Sequence, residues 1–273
     1  MTTRGRGDGE RKRDGERSRQ HRSTPERSPA TGPRLIRSTR ADAPGRDRYA
    51  IEAAPVRKRW SPDGDLPKWI QEEVSRVTAK GRIPATLELL QVAAKEFAAA
   101  KFGKALRDLE EAKELSPRTA TIREMLGLSA YRLGRWEQAL RELRTFRRLT
   151  GETTHMPVEM DVLRALDRPR DVEEVWKAFR RIGGEREVER EARVVYGAFL
   201  LDNGREREAW EITNPKRIGD KPHESELRVW FVAARAAARL GDLKTGRRLY
   251  EAIQASDAGF PGLDELDRAT AGR

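Results

Sequence analysis

The chain contains no cysteine in 273 residues and only three histidines. That removes disulfides, thiol nucleophiles, Cys-ligated zinc and iron–sulfur clusters in one step, and it fits a reducing compartment. No apolar run approaches the roughly 20 residues needed to cross a bilayer, so membrane insertion is not expected. The first residues carry Arg and Asp where a secretory signal needs an apolar core, which points to a cytoplasmic protein. From Thr2 to Arg34 there is no large aliphatic or aromatic side chain. Without apolar surface to bury, nothing there offsets the ~1–2 kcal/mol per residue that ordering a backbone costs. Residues 1–60 are therefore expected to form a disordered, Arg-rich tail. Its only apolar points are Leu35-Ile36 and the group Tyr49, Ile51 and Val56.

The charge is as uneven as the hydropathy. Residues 1–59 hold 17 Lys and Arg against 8 Asp and Glu, a net of +9, out of +11 for the whole chain. The remaining residues are close to neutral. A basic arm of this kind suits a nucleic acid, a ribosome or an anionic surface. Interleaved acids weaken any phosphate-binding stripe, and no aromatics alternate with the arginines as base stacking would require. A tail that only solubilises the protein explains the same composition.

What the sequence does have is a period. Between Thr121 and Gly151 it reads Leu126-Gly127, Tyr131, Leu133-Gly134-Arg135-Trp136, Ala139, Leu143, Phe146 and Leu149. Thirty-four residues earlier, Phe102, Ala105, Leu109, Ala112 and Leu115 take the places of Trp136, Ala139, Leu143, Phe146 and Leu149. Self-similarity at such a spacing marks a helical array. Upstream, Asp65 is placed to cap a helix carrying Trp69, Ile70, Val74 and Val77 on one face, so 61–84 reads as a capping helix. Helix pairs follow over 85–260. The first runs from Ala85 to Ala100 and from Gly103 to Leu115, and the second is the stretch above. The third carries Val162, Leu163 and Leu166, a turn at Asp167–Arg170, and then Val172, Val175, Trp176 and Phe179. Ala139 to Val175 is 36 residues, which implies two extra residues in a loop. The fourth has a turn at Asp202-Asn203-Gly204 and a second helix cut short by Asn214-Pro215. The fifth spans Trp230 to Ile253, and residues 261–273 add a short terminal helix or a disordered end.

This pattern resembles the tetratricopeptide repeat (TPR). Leu126-Gly127, Trp136 and Ala139 match the family's positions in the second pair, with Tyr131 one place beyond the usual tyrosine. Phe102, Ala105, Ala112 and Pro117 match in the first pair, and Trp230, Ala234 and Tyr250 in the fifth. The likeness covers residues 85–258, and the Arg- and Ala-rich wording is similar to that of actinobacterial TPR proteins. It implies an all-α fold: a right-handed α-solenoid of about five helix-turn-helix repeats. It also implies a concave face lined by the first helix of each pair. Mapped onto this chain, that face would carry Arg132, Arg164, Arg228, Arg235 and Arg239, with Phe97, Tyr131, Leu128 and Phe231 among them. Glu124, Asp161 and Asp202 would dilute its basic character. Such a groove would hold an extended protein or peptide partner, including an acidic one, with arginine forks on carboxylates and aromatics on apolar anchors. An ordinary solvated helix surface accounts for the same residues. The positions that clamp a chaperone's terminal carboxylate in some TPRs are here Leu90, Ala94, Glu124 and Leu128, which excludes that partner class.

No grouping suggests catalysis, a cofactor or a metal. His21, His155 and His223 share no helix face, and each reads as a surface histidine. Residues 5–9 lack the strand, helix and Gly-Lys-Ser ending of a phosphate loop. Glu185, Glu187, Glu189 and Glu191 read as a solvated helix start. The expectation is a non-enzymatic TPR scaffold or adaptor binding a protein or peptide. The alternative is an RNA- or ribosome-associated factor acting through the tail.

Overall fold

The computed structural model describes residues 65–271 and two short segments, 35–37 and 49–51. The greater part of the expected tail therefore lies outside the described residues. The two segments within it are strands, β1 (Leu35–Arg37) and β2 (Tyr49–Ile51), paired antiparallel with Leu35 opposite Ile51. They fall on the tail's apolar points.

All other regular structure among the described residues is helical. α1 (Lys68–Val77) is followed by a single 3-10 turn at Lys80–Arg82. Then come α2 (Ile83–Ala98) and α3 (Phe102–Leu115), α4 (Ala120–Arg132) and α5 (Trp136–Thr150), α6 (Met156–Ala165) and α7 (Pro169–Ile182). The chain continues with α8 (Arg186–Asp202) and α9 (Glu206–Thr213), α10 (Glu224–Arg239) and α11 (Leu243–Ser256), and ends at α12 (Leu263–Thr270). α1 starts later than expected. Pro67 rather than Asp65 precedes its first turn, and no side chain caps it. Instead α1 itself caps another helix. The buried Glu73 accepts hydrogen bonds from the Ala120 and Thr121 amides (2.5 and 3.3 Å) and the Thr121 hydroxyl (2.6 Å). A carboxylate there meets the donors and positive end of α4.

Each of the pairs α2/α3, α4/α5, α6/α7, α8/α9 and α10/α11 is joined through the same backbone turn. The residue after the C-cap is left-handed in all five: Ala100 (φ 57°), Gly134 (69°), Asp167 (57°), Gly204 (69°) and Gly241 (82°). The next amide reaches back to the fifth carbonyl before it, as in Lys101 to Glu96 (2.8 Å) and Arg135 to Ala130 (2.8 Å). Arg168 to Leu163, Arg205 to Leu200 and Asp242 to Ala237 repeat the bond at 3.0, 2.9 and 2.9 Å. This is the Schellman closure of a helix end. The chain then re-enters a helix at once, so the two members pack antiparallel.

The turn fixes what comes four residues later. The amides of Ala105, Ala139, Val172, Ala209 and Gly246 bond the carbonyls of the residues that end the five turns. All five lie in the first turn of a second helix, and all five are buried. The sequence reading is corrected at the third pair: Val172, not Val175, holds the repeated position. The two are three residues apart on one helical face, so apolar periodicity cannot separate them. Small residues on the first helices complete the fit. A Cβ on Gly127 would come within 2.6 Å of the Leu143 side chain, and one on Gly197 within 2.7 Å of Thr213.

Two substitutions with opposite signs test this geometry. Gly127→Ala should lower stability by ~1–2 kcal/mol in urea unfolding, because overpacking against the buried Leu143 exceeds the helix-propensity gain. Ala100→Gly should raise it by ~0.5–1 kcal/mol by relieving a left-handed alanine.

Candidate functional site

The residues expected to line a partner groove lie on the first helices: Tyr131, Arg228, Phe231 and Arg235 are buried, Phe97, Arg132 and Arg164 are half-buried, and Arg239 is exposed. Tyr131 on α4 is 3% exposed, and its hydroxyl donates to Asp161 Oδ2 on α6 at 2.7 Å. Burial, then the neighbouring carboxylate, pushes that phenol well above its ordinary pKa. Arg164, one turn beyond Asp161, pairs with it at 2.7 Å and with Asp202 of α8 at 3.0 Å. Asp161 and Asp202 thus form the rungs of a ladder rather than merely diluting a basic face. On α10, Arg228 is 2% exposed; its Nε donates to Glu191 of α8 at 2.7 Å, and Nη1 pairs with Glu224 at 3.0 Å. Arg239 donates to the Leu201 carbonyl at 2.5 Å. Tyr131, Asp161, Arg164, Asp202, Glu191, Arg228 and Arg239 therefore connect α4, α6, α8 and α10 in sequence.

The remaining candidates pack on aromatic rings. Phe97 is half-buried and meets Phe102 edge-on at 5.3 Å, across its own hairpin turn. The Arg132 guanidinium lies 4.6 Å over the same Phe102 ring. Phe231 is buried against Phe260, with centroids 5.5 Å apart, and Arg235 lies 5.8 Å from the Phe231 ring. Arg235 and Arg239 also line a shallow cleft of about 220 Å³ with Ala238, Glu265, Leu266 and Ala269, between α10 and α12.

Three polar clusters escaped the sequence reading. His155 is not a surface histidine: it is 2% exposed, its Nε2 lies 2.7 Å from Glu124 Oε1, and its ring packs on Phe146 at 5.2 Å. Nothing in the sequence distinguishes it, because its burial comes from the fold of α4, α5 and the start of α6. Glu191 is likewise buried rather than solvated, unlike the exposed Glu185, Glu187 and Glu189 around it. Burial raises its carboxyl above the usual range, against the pull of Arg228. At the joint between α7 and α8, Trp176 stacks on Tyr196 at 4.5 Å. The Tyr196 hydroxyl donates to Glu173 at 2.6 Å, and Glu173 also accepts from Arg205. Burial alone would raise the Glu173 carboxyl, but these two donors outweigh it and hold it below its ordinary value.

These arrangements hold helices together; no nucleophile, base and orienting group converge in them. Among the described residues no group of three or more His, Asp and Glu side chains is placed to hold a metal, and no helix is long and apolar enough to cross a membrane. No protein-family model and no curated protein matches this sequence.

Two measurements follow from these ion pairs. Arg228→Leu should cost ~3–5 kcal/mol by stranding Glu191, and adding Glu191→Leu should recover most of it in urea unfolding. Glu173, depressed in the folded state, supplies stability that is full above the ordinary carboxyl value near 4.5 and is lost as pH falls through the folded value. A Glu173→Gln variant should therefore show a flatter acid limb in thermal melts between pH 6 and 3.

Proposed function

We propose that this chain is a non-enzymatic scaffold of the TPR type, whose helical hairpins stack as a right-handed α-solenoid and receive a protein or peptide segment along the face made by the first helices. The observation that supports it most is the recurrence of one hairpin design five times. Each copy has a left-handed turn residue at the same place and a buried residue four positions after the turn ends. A unit of this kind buries one face within itself and leaves the other for a neighbour, which favours a linear stack over a closed globule. α6 packs on α8, and α8 on α10. Arg132, Arg235 and Arg239 are the residues assigned to partner contact. Arg132 and Arg235 lie beside aromatic rings and Arg239 bonds a carbonyl, while Arg164 and Arg228 each pair with a carboxylate of their own helix and one of a neighbouring helix.

The test is capture of partners by the full-length protein, compared with an Arg132→Glu, Arg235→Glu variant and with Arg148→Glu as a surface control. Far-ultraviolet circular dichroism establishes that all three are folded. At least a tenfold loss of a specific partner is expected in the double variant alone. Equal recovery by all three proteins would remove these arginines, and with them the proposed face, from the binding function.

A further inference from the structure

We propose that the segment bearing β1 and β2 docks on α6 and is the resident occupant of the face formed by the first helices. An incoming partner would then have to displace it. The inference deepens the reading above by naming what regulates that face.

The argument begins with α6. Its residues from Met156 to Leu163 are buried without a break, eight in succession. Eight residues make more than two turns of a helix, so every side of α6 is covered. Its helical neighbours are α5, α7 and α8, with α4 reaching it through the Tyr131–Asp161 bond, and β2 lies against α6 as well. The strands themselves call for such support. β1 and β2 share three residue pairs and are separated by the eleven residues 38–48. A two-stranded ribbon is marginal in water even with a tight turn, and closing a loop of that length adds entropic cost. The pairing is therefore stable only if the array supplies a surface for it.

The connection is long enough. Fourteen residues separate Ile51 from Leu66, where the helical part begins. Extended, they span up to about 50 Å. From α1 through α2 and α4 to α6 is three helix-to-helix steps, about 24–30 Å at ordinary packing distances. The chemistry of the two parties agrees as well. The strands read Leu-Ile-Arg and Tyr-Ala-Ile, two of the few apolar points in the first 60 residues. α6 is itself largely apolar, with Met156, Val158, Met160, Val162 and Leu163 among its buried residues. Displacement of the segment would leave the bond from Tyr131 of α4 to Asp161 and the bond from Arg164 to Asp202 of α8 in place, because those join helices to each other.

The absence of cysteine makes a direct test simple. In the full-length chain, Ala50→Cys is paired either with Ala165→Cys, exposed at the end of α6, or with Lys104→Cys, exposed on α3. Each pair is treated with a flexible bis-maleimide of about 15 Å, and intramolecular cross-linking is followed by mass spectrometry. A docked segment should link to position 165 at least tenfold faster than to position 104. Leu35→Asp with Ile51→Asp should abolish that preference. A free tail is tethered next to α1 and α2, hence nearer α3, and would link to position 104 at least as fast; that result would overturn the proposal. The readout needs no partner, so loss of the Arg132- and Arg235-dependent capture would leave a fast link to position 165 standing.

Discussion

The close approach of two helices within each hairpin is the constraint on which the rest depends. A left-handed residue turns the chain in three positions, so the second helix starts with no freedom to choose its distance from the first. The residue four positions past the end of the turn then lies in the contact. Ala105, Ala139, Ala209 and Gly246 are small, and Val172 is the single larger one. One turn further along the second helices, Leu143 and Thr213 face Gly127 and Gly197, which have no room for a Cβ. Close-packed interiors tolerate little change in volume, so a short turn and a small residue are one requirement expressed at two sites.

That coupling explains how much of the fold was legible in the sequence. Leu133-Gly134, Asn203-Gly204 and Leu240-Gly241 announce the turns because glycine marks a left-handed position. Ala100 and Asp167 occupy the same conformation with side chains that do not advertise it, and the boundaries of the first and third pairs were correspondingly softer. The register of the third pair slipped by one turn for a related reason. Val172 and Val175 are equally apolar, and only the turn hydrogen bonds decide between them. The late start of α1 reflects a tertiary contact, since the helix is positioned by what Glu73 caps rather than by a cap of its own.

The candidate site was less legible. Arginines at helical spacing on the first helices were read as a face awaiting a partner. Helical spacing gives their positions along the helices but not their partners on neighbouring helices, because a carboxylate 37 or 38 residues away leaves no local trace. Tyr131 and Asp161 are 30 residues apart, Arg228 and Glu191 are 37, and His155 and Glu124 are 31. These separations are close to one repeat. Residues at about that separation fall on neighbouring first helices, so charges of opposite sign at the hairpin spacing are the sequence signal that shows them paired.

The consequence is a division of labour between apolar and ionic contacts. Within a hairpin the contact is small, apolar and set by backbone geometry. Between first helices, much of it is directional: Tyr131 to Asp161, Arg164 to Asp202, Arg228 to Glu191. Replacing such buried pairs with apolar side chains of equal volume often costs nothing and can even stabilise a protein, so their value here is not net stability. An apolar stripe on α8 could slide along α10 by a turn at small cost, whereas Arg228, tied to Glu224 of its own helix, reaches Glu191 of α8 only in one register. Ionic joints therefore fix the spacing of the first helices more sharply than burial alone. A segment laid across α6 meets a surface whose shape does not depend on its presence, and the energy of docking need not be spent on ordering the helices beneath it.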